Sequence, residues 1–258
     1  MNAIAIGTLA SLLAGLGTGV GALPLFLPIQ FTPRLQGIFL GFGGGVMLAA
    51  TAFSLIIPGL DAAQQQGFSE TTAGLIVVAG TLLGGGAIWL IHNNFPHEHF
   101  YKGKEGQPIT ESFQRIWLFI IAITLHNFPE GLAVGVGFGT GDAAGGWVLA
   151  SGIGLQNIPE GLVVALALKN LGYSRLYAFG VSLLTGLVEP VGGVIGVSVV
   201  SLSQPLLPWG MAFAAGAMLF VIVDEIIPEI DRQGLDQEGT LGVMVGFVVM
   251  MFLDVTLG

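Results

Sequence analysis

Residues 126–133 read His-Asn-Phe-Pro-Glu-Gly-Leu-Ala, and residues 156–163 read Gln-Asn-Ile-Pro-Glu-Gly-Leu-Val. Both stretches lie inside long apolar runs, where Asn, Pro and Glu are most costly. On a helix, positions i and i+4 share a face, so His126 stacks on Glu130 and Gln156 on Glu160. Asn127 and Asn157 sit beside them, about 100° around the helix. Pro129 has no N–H for the carbonyl of Leu125, and Pro159 leaves that of Leu155 free. A third acid, Glu189, precedes Pro190 in the next apolar run, and that ring likewise frees the carbonyl of Gly186. Imidazole, carboxylate and carbonyl oxygens together form a borderline-to-hard donor set, suited to Zn²⁺, Fe²⁺, Mn²⁺ or Cd²⁺.

The elements that must position these residues are membrane spans. The chain has 258 residues, 53% hydrophobic and only 9% charged, with a mean hydropathy of +0.85. Soluble domains carry roughly a quarter charged residues, so this chain lacks the polar surface to meet water all round. Apolar stretches of about 20 residues cross a bilayer as helices. The pattern predicts an all-α polytopic membrane protein with eight transmembrane helices, at 3–27, 36–59, 72–93, 113–138, 146–170, 174–202, 206–229 and 238–257. All of 1–258 forms a single transmembrane domain, and the first run reads as a retained span rather than a cleaved signal. Glycine is abundant, and pairs such as Gly17/Gly21 and Gly131/Gly135 have the small-xxx-small spacing that lets membrane helices approach closely.

Orientation follows from the basic residues. Arg34, Lys102, Lys104, Arg115, Lys169, Arg175 and Arg232 fall at or beside alternate loops. The positive-inside rule makes those loops cytoplasmic and puts both termini outside. The longest loop, at about 94–112, is then cytoplasmic and contains Pro96-His97-Glu98-His99. Absence of cysteine excludes disulfides and thiolate ligands. A formal charge of −9 with no basic patch excludes nucleic acid as a partner.

Sorted by depth, most acids need no explanation. Asp61, Glu70 and Asp142 fall in outer loops, Asp254 near the outer end of the last span, and most others at the inner side. Glu130, Glu160 and Glu189 instead fall near mid-span, where a carboxylate normally faces a cavity or a partner. No Lys or Arg is expected at that depth, so the three must be protonated or share cations. One Pro-Glu pair could be a packing kink with a neutral acid; two copies plus a third acid fit that reading poorly. Broken helices at the midplane are also how many secondary transporters build their substrate sites.

His126-Asn-Phe-Pro-Glu-Gly131, Gln156-Asn-Ile-Pro-Glu-Gly161 and Val188-Glu-Pro190 strongly resemble spans four, five and six of the ZIP (Zrt/Irt-like) metal transporters, most of all their GufA-like branch. The resemblance implies a ZIP-like bundle with kinked helices four and five, importing a divalent metal toward the cytoplasm. It implies His126, Glu130 and Glu160 as main ligands, with Asn127, Gln156, Asn157 and Glu189 completing one or two adjacent metal positions. Gln156 and Asn157 depart from the pattern, since many members carry His at the first and some carry an acid at the second. Met47 reads by itself as packing, whereas the resemblance makes its thioether an extra ligand. Ser54 is a weaker candidate at the outer entrance. Asp224 and Glu225 read either as an acidic helix end or, by resemblance, as an exit relay. His97 and His99 offer two imidazoles for capturing metal in the loop, or belong to an ordinary polar linker.

The function expected is therefore transport of a divalent metal by alternating access, with zinc foremost and iron, manganese and cadmium as further substrates. No organic cofactor is expected. An intramembrane metalloprotease would want a helical HExxH, which is absent, so the chain is not expected to be an enzyme. A proton-coupled carrier of an organic substrate would typically want a basic residue or a broad aromatic pocket at midplane. The expected partners are metal ions and lipid, with a homodimer supported by lipid-facing Gly and Phe. Short loops without targeting extensions point to a bacterial inner membrane.

Overall fold

The computed structural model describes residues 2–28, 31–94, 112–170, 172–232 and 234–257, and every regular element among them is helical. Helix α1 (Ala3–Ala22) starts at Asn2, whose side chain accepts the N–H of Ala5 at 2.9 Å, and ends in a 3₁₀ turn at Leu23–Phe26. Helix α2 (Pro33–Ala49) starts at the Thr32 cap with Pro33 in its first turn, where a missing N–H costs no helical bond. It continues through a π segment (Ala50–Ile56) into α3 (Ile57–Gln65). Next come α4 (Glu70–Asn94), α5 (Ser112–Gly139) and α6 (Ala143–Asn170), the last two with Pro129 and Pro159 inside them. The chain closes with α7 (Arg175–Gly186), α8 (Glu189–Leu202), α9 (Leu207–Val221), a second π segment (Ile222–Ile226), α10 (Ile227–Arg232) and α11 (Asp236–Leu257). Seven continuous stretches among the described residues are long and apolar enough to cross a membrane; α5 is not one of the seven.

Three features differ from the sequence expectation. The span expected over 174–202 is present as one apolar stretch, Arg175–Leu202, but its helix is interrupted where Pro190 was expected to free the carbonyl of Gly186: α7 stops at Gly186 and α8 starts at Glu189. Pro190 therefore stands in the first turn of a new helix, where its ring is tolerated, rather than inside a kinked one. The expected outer loop at Asp61 is shorter, because α3 continues past Asp61 to Gln65 and the chain turns at Gly67, whose φ is +90°. Only glycine adopts that angle at no steric cost. Finally, spans two and seven each contain a π segment directly before Ile-Ile-Pro: Ile56-Ile57-Pro58 and Ile226-Ile227-Pro228 overlap the two junctions. In both, the N–H of the second Ile reaches five residues back, to Ala52 and Ile222 respectively. Such bulges widen the turn locally and re-aim the side chains they carry.

The helices pack in two sets. Helix α1 packs against α5, α6, α7 and α8, and α5 against α8; α2 packs against α11, and α4 against α9. Glycines set the approach inside each set. A Cβ on Gly17 or Gly21 would run into the carbonyls of Gly154 or Ile158 of α6, and one on Gly131 or Gly135 into those of Glu189 or Gly193 of α8. Gly41 and Gly45 of α2 meet α11 the same way, at Gly239 and Val243. These pairs are the close backbone contacts that the small-xxx-small spacing predicts. Between the sets, α2 lies against α6 and α5 against α9.

Candidate metal-transport site

Where α5, α6 and α8 converge, the polar residues singled out by spacing come together. Asn127 and Glu130 of α5, Gln156 and Asn157 of α6 and Glu189 of α8 are all buried. The Gln156 amide donates from Nε2 to Glu130 Oε1 at 2.6 Å. Asn157 donates from Nδ2 to Glu189 Oε1 at 2.5 Å, and also to the Ala14 carbonyl of α1 at 2.9 Å. Each of these carboxylates is thus held by one amide, and the second amide is itself anchored to α1. Glu189 also begins a helix, where the aligned backbone dipoles favour negative charge.

The other half of each pair is open. Glu130 Oε2, Glu189 Oε2, Gln156 Oε1 and Asn157 Oδ1 are buried and accept no hydrogen bond from the described residues. Buried acceptors left this way are uncommon in native proteins. These four acceptor oxygens can receive a cation or a hydrogen-bond donor, and the Asn127 Nδ2 donor is likewise buried without a partner among the described residues. Glu160 is only partly buried and lies near enough to Glu130 and Glu189 for the charges to repel one another. A divalent ion bound among them would turn that repulsion into attraction.

The remaining candidates sort themselves by position. Among the described residues, which leave out the His126 side chain, no group of three or more His, Asp or Glu side chains is placed to hold a metal ion. The side chain of His126 lies outside the described residues, as do His97 and His99; the backbone of His126 belongs to α5. Met47 is fully buried and belongs to the apolar cluster that also contains Leu149 and Ile153. Asp224 and Glu225 sit on the π segment of span seven, partly buried, and outside the hydrogen bonds described for Glu130 and Glu189.

One residue that depth alone had dismissed returns. Asp254, in the last turns of α11, receives the Ser54 hydroxyl at 2.9 Å on each carboxylate oxygen. The pair lines a pocket of about 240 Å³, together with Thr140, Asp142, Leu149 and Met211. This pocket lies at the end of the bundle where α5 finishes and α6 begins. Its sequence signal was faint: an acid near the end of an otherwise apolar span, and a serine in another span 200 positions away.

The described bundle is all-helical, with buried carboxylates and buried acceptor oxygens at its centre. Residues 91–254 match the family described as ZIP zinc transporter. The chain is 50% identical over 252 residues to the zinc transporter GufA of Myxococcus xanthus, covering 98% of this chain and 99% of that one. It is 44% identical over 257 residues to the zinc transporter ZIPB of Bordetella bronchiseptica, covering 93% of this chain and 78% of that one. It is also 35% identical over 249 residues to the zinc transporter ZupT of Stenotrophomonas maltophilia, covering 93% and 91%. The chain belongs to the ZIP family, on its GufA-like branch, a family of transporters rather than enzymes.

Proposed function

We propose that this protein carries zinc into the cytoplasm through the cluster at Glu130, Gln156, Asn157, Glu160 and Glu189, with His126 and Asn127 completing the ligand set. The four buried, unpartnered oxygens around the two amide–carboxylate pairs are the observation that supports this reading most directly. Helix α5 counts as the eighth span, and the basic residues favour both termini outside. The Asp254–Ser54 pocket then faces outward, and Asp224 and Glu225 lie at the inner end. An ion enters the pocket, loses water, and replaces it with carboxylate and amide oxygens and the His126 imidazole. Movement of the set containing α5 and α6 against the set containing α2 exposes the ion to the other side. Mg²⁺ sheds water reluctantly and prefers octahedral oxygen, so it competes poorly. A competition series with Zn²⁺, Fe²⁺, Mn²⁺, Cd²⁺ and Mg²⁺ in proteoliposomes tests the reading; loss of zinc selectivity over Mg²⁺, or no uptake at all, contradicts it.

Two expectations follow from the same arrangement. Carboxylate and imidazole ligands bind metal only when deprotonated, so lowering the pH outside puts protons in competition with zinc. Uptake at limiting zinc should therefore weaken as the medium is acidified, and partly recover when zinc is raised. A flat initial-rate profile across the acid range would count against carboxylate ligands. At the outer pocket, Asp254→Ala removes a charge that concentrates cations without touching the central oxygens. It should raise the zinc concentration for half-maximal uptake by about threefold to tenfold with little change in the maximal rate.

A further inference from the structure

The glycines of α2 present a puzzle that packing does not solve. Gly41 and Gly45 face α11 so closely that a Cβ would strike backbone carbonyls, and a Cβ on Gly44 would approach Ile226 Cγ2 at 2.7 Å. Gly43 is different. It is buried, its φ is not positive, and the nearest atoms to a Cβ built there are Glu160 Oε1 at 3.7 Å, then Gln156 Cβ and O, both at 3.9 Å. That is ordinary van der Waals distance, so alanine fits. Glycine inside a helix costs stability relative to alanine, and neither sterics nor backbone angle asks for it here.

Its position gives the reason. The helices run in opposite directions: α6 leaves the outer pocket near Asp142 and passes Gln156 before Glu160, whereas α2 passes Gly43 before reaching Ser54 at that pocket. Gly43 and Glu160 therefore face each other on the side of the cluster away from the outer mouth. Glu160 is also its one partly exposed acid, while Glu130 and Glu189 are fully buried. One residue nearer the outer pocket, Gly44 meets Ile226 on the span-seven π segment. From these contacts we infer that Gly43 sets the width of the inner passage: its missing side chain keeps open the space beside Glu160 through which the ion, with retained water, leaves toward the cytoplasmic side. This inference rests on the transport reading above.

The test compares wild type, Gly43→Ala and Gly74→Ala in proteoliposomes. Gly74 is a control whose Cβ would meet nothing within 4 Å. For Gly43→Ala, thermal stability should hold or rise and equilibrium zinc binding stay within about twofold, while the maximal uptake rate falls about fivefold or more. The fall should be steeper for Cd²⁺, the larger ion, than for Zn²⁺. Gly74→Ala should transport like wild type. Gly43→Ala uptake of both ions at the wild-type rate overturns the inference, and so does a loss of binding that matches the loss of rate. Wild-type protein that takes up no metal overturns the transport reading instead, so the two failures are distinct.

Discussion

Proteoliposomes containing Glu130→Ala or Glu160→Ala are expected to take up no zinc above the protein-free leak. Each change removes an anionic ligand from a site shielded from water, where charge is worth far more than at a surface. Every 1.4 kcal/mol lost is about tenfold in affinity, so losing an anionic ligand of several kcal/mol should reduce uptake by about a hundredfold or more. A packing explanation is separated by Glu130→Gln. That side chain keeps the volume of Glu130 and can still offer its carbonyl to the Gln156 amide, which now reaches Glu130 Oε1 at 2.6 Å. Relieved of a buried negative charge, Glu130→Gln should be at least as stable as wild type without metal. Ligand binding to the folded state raises apparent stability; wild type should therefore melt higher as zinc is added, whereas Glu130→Gln should not. Near-wild-type uptake by Glu130→Gln would sink the assignment of Glu130 as an anionic ligand.

The candidate cluster was largely legible because its residues break the rules of their surroundings. Asn, Pro and Glu inside an apolar helix have no cheap structural excuse, so the repeated Asn-x-Pro-Glu and the third acid at Glu189 pointed to one buried cluster. The amides were harder to place. Spacing put Gln156 above Glu160 on one helix, but the structure turns Gln156 to Glu130 on the neighbouring one. Side-chain partners across helices depend on rotation and depth that no local pattern encodes. Pro190 marked a disturbed helix at Gly186, but the full break in span six was hidden for a related reason: Leu187 and Val188 are apolar, so a two-residue interruption leaves no dip in hydropathy. The π segments are equally silent, since one extra residue per turn shifts a face without changing composition. Ser54 was a candidate at the outer entrance by itself, but Asp254 alone looks like an ordinary acid near the end of a span, and the two meet only through tertiary packing.

Packing and chemistry meet at Gly131, the residue after Glu130. The missing Cβ lets α5 rest on the backbone of Glu189, whose carbonyl a methyl group there would strike. In Gly131→Ala, therefore, α5 or α8 has to move, and each carries one of the two buried acids. Gly135 supplies the matched comparison. Its Cβ would strike the carbonyl of Gly193 on the same helix pair, with no acid beside it. Overpacking of this kind costs about 1–3 kcal/mol, so both alanine variants should lose similar stability. Their transport should differ. Catalytic and binding groups displaced by a fraction of an ångström lose much of their effect, so Gly131→Ala should lower zinc uptake by about tenfold or more, and Gly135→Ala far less. Melting curves and initial uptake rates measured on the same preparations decide the matter. If the two variants lose uptake in proportion to their loss of stability, Gly131 is a packing residue only. If Gly131→Ala falls well below that proportion, the contact between α5 and α8 is what holds Glu130 and Glu189 at the separation the ion requires.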